Sequence, residues 1–181
     1  NEIFNLDQQP KKAVIVGGGY IAVEFAGILN GLGVETELIY RGNQLLKTFD
    51  HDCSVKVTEG MIDKGVRVHL NTHVIAISKS QHSLSVRLDN DNTIATDMVL
   101  YATGRIANTD ELGLENTAVT LGPNKAIVVD DNYRTKEPSI YAIGDVIDRV
   151  QLTPVAIKEA MVLINHLYAE NNDSVDYTNI P

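Results

Sequence analysis

Three consecutive glycines, Gly17–Gly19, constrain the fold of this chain more than any other feature. The apolar run Ala13–Val16 precedes them and predicts a buried strand, and from Tyr20 onward apolar residues recur at helical spacing. Gly33 stands where a left-handed helix cap belongs, and Thr36–Tyr40 is typical of a second strand. A strand, one helix and another strand in so short a stretch predict parallel strands joined by a helical crossover.

The next part of the chain predicts a second crossover and then a change of pattern. A helix over Asp52–Lys64, closed by Gly65, leads to a strand at Val66–Leu70. Three strand-like runs separated by polar turns then predict an antiparallel meander, at His73–Ser78, Leu84–Leu88 and Thr93–Tyr101.

Two later strands are predicted at Ala126–Val129 and Ser139–Ile143. Thr153-Pro154 predicts a helix start with the Thr153 hydroxyl as N-cap, and we expect this helix to pack on a sheet. The predicted fold class is therefore α/β, with a Rossmann-like, doubly wound parallel sheet and an inserted antiparallel β-meander.

Charge and hydropathy exclude two classes of partner. The formal net charge is −9, with 24 acidic residues and no basic run, which argues against nucleic acid and against an acidic membrane surface. Because no apolar run approaches the roughly 18 residues of a membrane span, we expect a soluble, cytoplasmic protein. The single cysteine, Cys53, cannot form an internal disulfide and is interpreted as an ordinary helix residue, and no metal site is predicted.

The glycine turn also carries a binding prediction. Residues Gly17 to Ala22 fit the dinucleotide fingerprint, with Ala22 in place of the third glycine, between a strand and a helix. Gly17 would permit the tight turn and Gly19 would let the backbone approach a pyrophosphate, which then meets free N–H groups at the helix N-terminus. The alternative is a glycine turn with a purely structural role.

The end of the second strand indicates which dinucleotide is bound. NAD sites place an acidic residue there for the ribose 2′-hydroxyl, whereas this strand runs into Arg41. A guanidinium would form charge-assisted bonds with a 2′-phosphate, and Lys47 would add a second positive charge. NADP is therefore favoured, although Arg41 and Lys47 could instead be plain surface residues.

With these residues placed, the sequence resembles the glutathione reductase branch of the FAD-dependent pyridine nucleotide–disulfide oxidoreductases. The resemblance covers essentially the whole chain and is carried by five segments: Val16–Gly27, Tyr40–Gly42, Ala102–Arg105, Tyr141–Asp145 and Leu152–Ala156. It implies an NAD(P)-binding domain over 1–138, an incomplete strand–helix piece of the FAD domain over 139–170, and a linker over 171–181 toward a missing dimerisation domain. We accordingly expect this chain to be cut out of a longer polypeptide.

The resemblance also implies roles for individual residues. The Tyr20 ring would lie over the flavin as a gate, and Glu24 would contact the nicotinamide carboxamide and pair with a lysine of the absent FAD domain. Arg41 and Lys47 would hold the 2′-phosphate, and relatives often have arginine at the second of these positions. The other implied NADPH contacts are Gly17, Gly18, Gly19, Ile21, Thr103, Gly104 and Arg105, and the implied FAD contacts are Asp145, Leu152 and Thr153.

The implied reaction passes hydride from NADPH to FAD and then reduces a disulfide substrate, glutathione disulfide, in a homodimeric enzyme. This chain has no closely spaced cysteine pair and no second glycine fingerprint, and none of its five histidines, at 51, 69, 73, 82 and 166, lies in a recognised catalytic motif. The chain alone is therefore expected to bind NADPH without turnover and without holding FAD tightly.

Several alternatives stay open at this point. Trypanothione and mercuric reductases have a similar pattern, and the dihydrolipoyl type fits less well because Tyr40-Arg41 replaces an acidic strand end. A non-catalytic NADP sensor is a different class, but it would not need Tyr20 and Glu24 directed at a flavin. A non-nucleotide α/β binding domain would leave the glycine turn unexplained.

Overall fold

A computed structural model describes residues 2–80, 83–169, 173–178 and 180 of the chain. The chain divides into two compact units, residues 1–104 and residues 105–181. The predicted boundary after residue 138 rests on the family resemblance and stays a prediction. His82 lies outside the described residues.

The first unit is built on a parallel sheet of four strands in the order β3-β2-β1-β7. Two helices connect its first three strands, and Gly33 and Gly65 follow these helices with positive φ angles of 84° and 97°. The predicted crossovers are thereby confirmed to within a residue or two. The elements are β1 (Lys12–Val16), α1 (Tyr20–Gly31), β2 (Glu35–Ile39), α2 (His51–Asp63), β3 (Arg67–His69) and β7 (Met98–Tyr101).

Each face of this sheet has its own apolar core, because successive side chains of a strand point to opposite faces. Ala13 and Ile15 pack with residues of both helices. Val14, between them, packs instead with Val86 and Leu88 of the meander. The meander thus covers the face of the sheet that the helices leave free, and the predicted α/β fold with an inserted antiparallel sheet is confirmed.

The meander contains β4 (Val74–Lys79), β5 (Leu84–Leu88) and β6 (Thr93–Thr96), in the order β4-β5-β6. The prediction of one strand over Thr93–Tyr101 is wrong, because the run divides at Asp97 between two sheets. The Asp97 carboxylate accepts hydrogen bonds from the backbone N–H groups of Lys11 and Lys12, both at 2.9 Å. This contact turns the chain away from β5 and into register with β1.

The second unit is less regular. It contains 3-10 helices at Leu114–Asn116, Pro123–Lys125 and Gly144–Ile147, and the long helix α3 (Thr153–Tyr168). A further 3-10 helix, Glu2–Asn5, precedes β1 in the first unit.

The two strands predicted in the second unit are wrong, because each is reduced to a single antiparallel bridge, Leu121 with Ile127 and Arg134 with Tyr141. The Arg134–Tyr141 bridge consists of two hydrogen bonds, from the Thr135 N–H to the Ile140 carbonyl and from the Ala142 N–H to the Tyr133 carbonyl. Turns on either side use the N–H groups of Tyr133 and Ile140, which donate to Asp130 and Glu137, so the pairing stops after one bridge.

Helix α3 packs against the 3-10 helix Gly144–Ile147 and a core that includes Tyr133 and Val162. The expectation that α3 packs on a sheet is wrong, since the second unit, as far as it is described, contains no extended strand. The predicted Thr153 cap is also wrong: Leu152 is the N-cap, without a side-chain hydrogen bond, and Pro154 lies in the first turn as predicted. No helix of the described residues is long and apolar enough to cross a membrane.

Candidate functional site

The carboxyl edge of the parallel sheet brings three predicted segments together. Val16 of β1 is in register with Ile39 of β2 on one side and with Tyr101 of β7 on the other. The glycine turn, the Tyr40-Arg41 segment and the Ala102–Gly104 segment therefore leave the sheet side by side. Since the order β3-β2-β1-β7 reverses direction at β1, this edge is a topological switch point, where open α/β sheets bind ligands.

Gly17 joins the three strand ends. Its N–H donates to the carbonyl of Ile39 at 2.9 Å, and its φ angle is +149°. A Cβ at this position would lie 2.3 Å from the carbonyl oxygen of Ala102. Only glycine fits here, both for conformation and for space.

Gly19 faces open space at the start of α1. It is the N-cap, provides no side-chain hydrogen bond, and a Cβ built on it would meet no atom within 4 Å. The first N–H groups of a helix have no intrahelical acceptor and carry partial positive charge. This end of α1 has both the donors and the room that a phosphate requires.

The first turns of α1 place the remaining predicted residues of the helix. Tyr20 is 39% exposed, and Glu24, four residues later, is exposed on the same side of the helix. Ile21 is half-buried, and Ala22 is fully buried against the sheet. The structure thus presents an aromatic ring and a carboxylate together at the surface next to the glycine turn.

The loop after β2 carries the two predicted phosphate ligands. Arg41 and Lys47 are both exposed, and neither forms a salt bridge with any residue in the described part of the chain. The loop itself is well anchored, because Leu45 is fully buried and the N–H of Leu46 donates to the carbonyl of Gly18 at 2.7 Å. Two uncompensated cations are therefore held beside the glycine turn.

The other predicted NADPH contacts follow β7. Thr103 and Gly104 are exposed, and Gly104 has a φ angle of +148°. Arg105, also exposed, is the first residue of the second unit.

The predicted FAD contacts lie in the second unit. Asp145 and Thr153 are exposed, and Leu152 is half-buried. Gly144, just before Asp145, has a φ angle of +72°, and a Cβ on it would lie 3.1 Å from the Cβ of Ala156 in α3. The Gly144-Asp145 turn is therefore set tightly against α3, with the Asp145 carboxylate on the surface.

Glu159 is a site residue that the sequence analysis missed. It is 1% exposed, and its carboxylate accepts hydrogen bonds from the Gly144 N–H at 2.5 Å and from the Tyr177 hydroxyl at 2.7 Å. Its position one turn after Val155, on the buried face of α3, was the available signal, since an acidic residue there needs buried partners. Glu159 connects the turn that bears Asp145 with the segment that follows α3.

Tyr133 and Arg149 complete this network. The Tyr133 hydroxyl lies 3.0 Å from that of Tyr177, and Arg149 donates to the Tyr177 hydroxyl at 3.2 Å. The Arg149 guanidinium also lies over both rings, at 5.4 and 5.6 Å from their centroids. Burial, followed by the hydrogen bond with Tyr177, raises the pKa of Tyr133 well above its usual value.

A second buried carboxylate, Glu37, lies on β2 in the first unit. Its side chain accepts from Lys12 at 2.8 Å, from Arg67 at 3.1 Å and from His69 at 2.8 Å. Glu37 is 4% exposed. This cluster accounts for His69 as a structural partner of a buried acid.

Comparison with known proteins places this geometry in a family. A model of the family described as pyridine nucleotide-disulphide oxidoreductase matches residues 1–160. Glutathione reductase of a Nostoc species is 41% identical over 99% of this chain and 42% of its own length, and that of Burkholderia cepacia is 39% identical over 100% and 40%. Trypanothione reductase of Trypanosoma congolense is 36% identical over 99% of this chain and 37% of its own length.

Solved structures agree with these relatives. The HOCl-induced flavoprotein disulfide reductase RclA from Escherichia coli has a TM-score of 0.89 at 30% identity, over 95% of this chain and 39% of that one. Between 37% and 42% of each curated relative named above is thus spanned. The resemblance found in the sequence is confirmed, and because the family model matches well over half of its residues, the chain belongs to the pyridine nucleotide-disulphide oxidoreductases, a family of enzymes.

Proposed function

We propose that this chain binds NADPH at the carboxyl edge of its parallel sheet, as the pyridine-nucleotide part of a glutathione reductase-like flavoprotein. In the whole protein, hydride from NADPH would pass to FAD and then serve the reduction of a disulfide, with glutathione disulfide as the substrate. The chain alone would bind NADPH without turnover. A cytoplasmic location and a homodimeric parent belong to the same proposal.

The observation that carries the cofactor choice is the pair of exposed cations, Arg41 and Lys47, on a loop bonded to the glycine turn. A ribose 2′-phosphate is a doubly ionisable group that a guanidinium recognises through charge-assisted hydrogen bonds. No acidic side chain forms an ion pair with either cation within the residues that the structure covers. The loop therefore favours an anion over the free 2′-hydroxyl of NADH.

The glycine turn and helix α1 supply the rest of the dinucleotide site. The free N–H groups at the α1 N-terminus would bind the pyrophosphate in the open space at Gly19. Glu24 is an acceptor only, which suits the N–H groups of the nicotinamide carboxamide, and the Tyr20 ring offers a flat apolar surface on the same side of α1. Thr103, Gly104 and Arg105 would border the nicotinamide.

The residues of the second unit fit a flavin ribityl chain by their chemistry. Asp145 presents an exposed carboxylate, which accepts from sugar hydroxyls, and the turn before it is held by buried Glu159. Leu152 and Thr153 would contact the ring system. When bound, the flavin and nicotinamide rings supply the hydride chemistry, and the protein supplies orientation and electrostatics.

Support for glutathione disulfide as substrate comes from the relatives. The Nostoc and Burkholderia proteins that match over nearly the whole chain are glutathione reductases, and the trypanothione reductase is slightly less similar. Glutathione disulfide is accordingly the substrate that we propose for the whole protein.

Calorimetric titration of the 181-residue chain with NADPH and, separately, with NADH tests the cofactor choice. We expect a preference of about tenfold or more for NADPH, which corresponds to about 1.4 kcal/mol. Arg41→Ala should remove most of the preference, whereas Arg87→Ala, which truncates an exposed arginine on β5, should not. Equal affinity for the two dinucleotides would overturn the NADPH assignment.

A further inference from the structure

The ring of Tyr40 fills the space next to two glycines. Tyr40 follows β2, directly before Arg41, and is half-buried. A Cβ on Gly18 would lie 2.6 Å from three atoms of the ring, and a Cβ on Gly42 would lie 2.5 Å from its Cε1. Real Cβ atoms do not approach other heavy atoms so closely, so a side chain at either position would force the ring or the backbone to move.

Backbone conformation does not explain either glycine. The glycines with positive φ in the described chain include Gly17 and Gly104 but neither Gly18 nor Gly42. Gly18 stands between the first two glycines of the dinucleotide fingerprint, at a position where the fingerprint does not require glycine. The structure provides a reason for glycine at this position, which is contact with an aromatic ring of the same chain.

The ring lies between two segments that the proposed function assigns to different parts of one ligand. Gly18 belongs to the turn proposed for the pyrophosphate, and Gly42 begins the loop that carries Lys47. The Tyr40 backbone is itself fixed, because its N–H donates to the carbonyl of His69 at 2.9 Å and its carbonyl accepts from Thr72 at 3.1 Å. A ring on a fixed backbone with two flanking contacts is a rigid spacer.

We propose that Tyr40 is a positioning residue for the 2′-phosphate. Its ring, packed between Gly18 and Gly42, sets the distance between the pyrophosphate turn and the cation Arg41. This inference rests on the proposed NADPH site and deepens it. Tyr40 acts through Arg41, so its removal changes recognition of the 2′-phosphate and leaves recognition of the rest of the nucleotide in place.

Binding of 2′,5′-ADP and of 5′-AMP to the full chain tests this role, since the two ligands differ in the 2′-phosphate alone. We expect Tyr40→Ala to weaken 2′,5′-ADP binding about fivefold to tenfold and to change 5′-AMP binding less than about twofold. Tyr40→Phe is the matched control and should behave like the unmodified chain, because the ring, not the hydroxyl, fills the space. An equal loss for both ligands would show a merely structural role and overturn the inference.

The same titrations separate failure of the inference from failure of the proposed function. If the unmodified chain does not prefer 2′,5′-ADP over 5′-AMP, the proposed NADPH site is wrong, and the proposed role of Tyr40 is then wrong as well. If it prefers 2′,5′-ADP and Arg41→Ala removes that preference, but Tyr40→Ala does not reduce it, the site stands and the positioning role is overturned.

A double-mutant cycle tests the packing without any ligand. Gly18→Ala and Gly42→Ala should each lower the Tm by about 5 to 10 °C when Tyr40 is present. In a Tyr40→Ala background the same substitutions should cost much less, because the ring that they would meet is gone. If each glycine substitution lowers the Tm equally with and without the Tyr40 ring, the proposed role of the ring as a spacer is wrong.

Discussion

The two units of this protein differ in the interactions that stabilise each of them internally. The first unit, residues 1–104, is organised by backbone pairing, since its β1 strand has parallel neighbours on both sides and an apolar core on each face. The second unit has single bridges where strands were expected, and side chains around Glu159 connect its turn, its helix and its last segment. We therefore expect the first unit to lose most stability when its backbone geometry is disturbed. We expect the second unit to lose most stability when a buried polar side chain is removed.

Among the residues that the structure describes, each unit also has one buried carboxylate, which allows a direct comparison. Glu37 is surrounded by three basic side chains that are partly exposed to solvent. Glu159 instead accepts from neutral donors, a backbone N–H and a hydroxyl. The four predictions below test the differences between the two units, in order of decreasing expected effect.

Gly17→Ala should have the largest effect and should act on the first unit. The new Cβ would lie 2.3 Å from the carbonyl oxygen of Ala102, at a φ angle that side chains rarely adopt. We expect a loss of about 4 kcal/mol or more in the free energy of unfolding, measured by urea denaturation. Gly19→Ala, which meets no atom within 4 Å, should cost less than about 1 kcal/mol. Equal losses would contradict the steric explanation.

Glu159→Ala should have the next largest effect, in the second unit. It leaves the buried Gly144 N–H and the Tyr177 hydroxyl without their acceptor, and we expect a loss of about 3 kcal/mol. Hydrogen exchange of the Gly144 amide should become much faster, while amides of β1 keep their protection. Lys158→Ala, at the exposed neighbouring position, should leave both unchanged. Loss of protection in β1 as well would break the distinction between the units.

Glu37→Gln should be less damaging, at about 2 kcal/mol, because the bases that it leaves behind are still reached by water. The matched control is Glu35→Gln. Glu35 also pairs with Lys12 and Arg67, but its side chain is 53% exposed, so the expected loss is below about 1 kcal/mol. Similar losses in urea denaturation would show that burial does not decide the strength of these contacts.

Raising the pH should weaken the second unit through Tyr133. Its pKa is raised in the folded state by burial and by the hydrogen bond with Tyr177, so the folded form favours the neutral phenol. The contribution to stability is therefore fully present below the unfolded pKa of about 10 and decreases as the pH rises above it. Tyr133→Phe should remove part of this decrease when unfolding is followed from pH 8 to 11. An unchanged pH dependence in that variant would contradict the role of Tyr133.

The sequence predicted the first unit well because its signals are local. Apolar periodicity, Gly33 and Gly65 located both crossovers, and the limits of β5 were predicted as they are found. The one error was the run that divides at Asp97. Its cause is a contact with Lys11 and Lys12, more than eighty residues earlier, which no local pattern contains.

The second unit was predicted poorly for the complementary reason. Apolar runs such as Ser139–Ile143 have strand composition, but whether a strand forms depends on a partner with free backbone groups, and here turns that use the N–H groups of Tyr133 and Ile140 limit the pairing to one bridge. The residues next to the glycine turn were given roles from the sequence that remain predictions, whereas Tyr40 and Glu159 were not assigned a role. Both act through contacts between distant parts of the chain.

The close contact between Gly17 and Ala102 has a consequence for how the protein is made. The atoms that confine the glycine turn on one side are synthesised 85 residues after it, because β7 is the last strand to join the sheet. At a translation rate of about 5 to 20 residues per second, Ala102 is therefore synthesised roughly 4 to 17 s after Gly17. During that interval β1 has one free edge. The proposed dinucleotide site is therefore completed only when the chain returns from the meander.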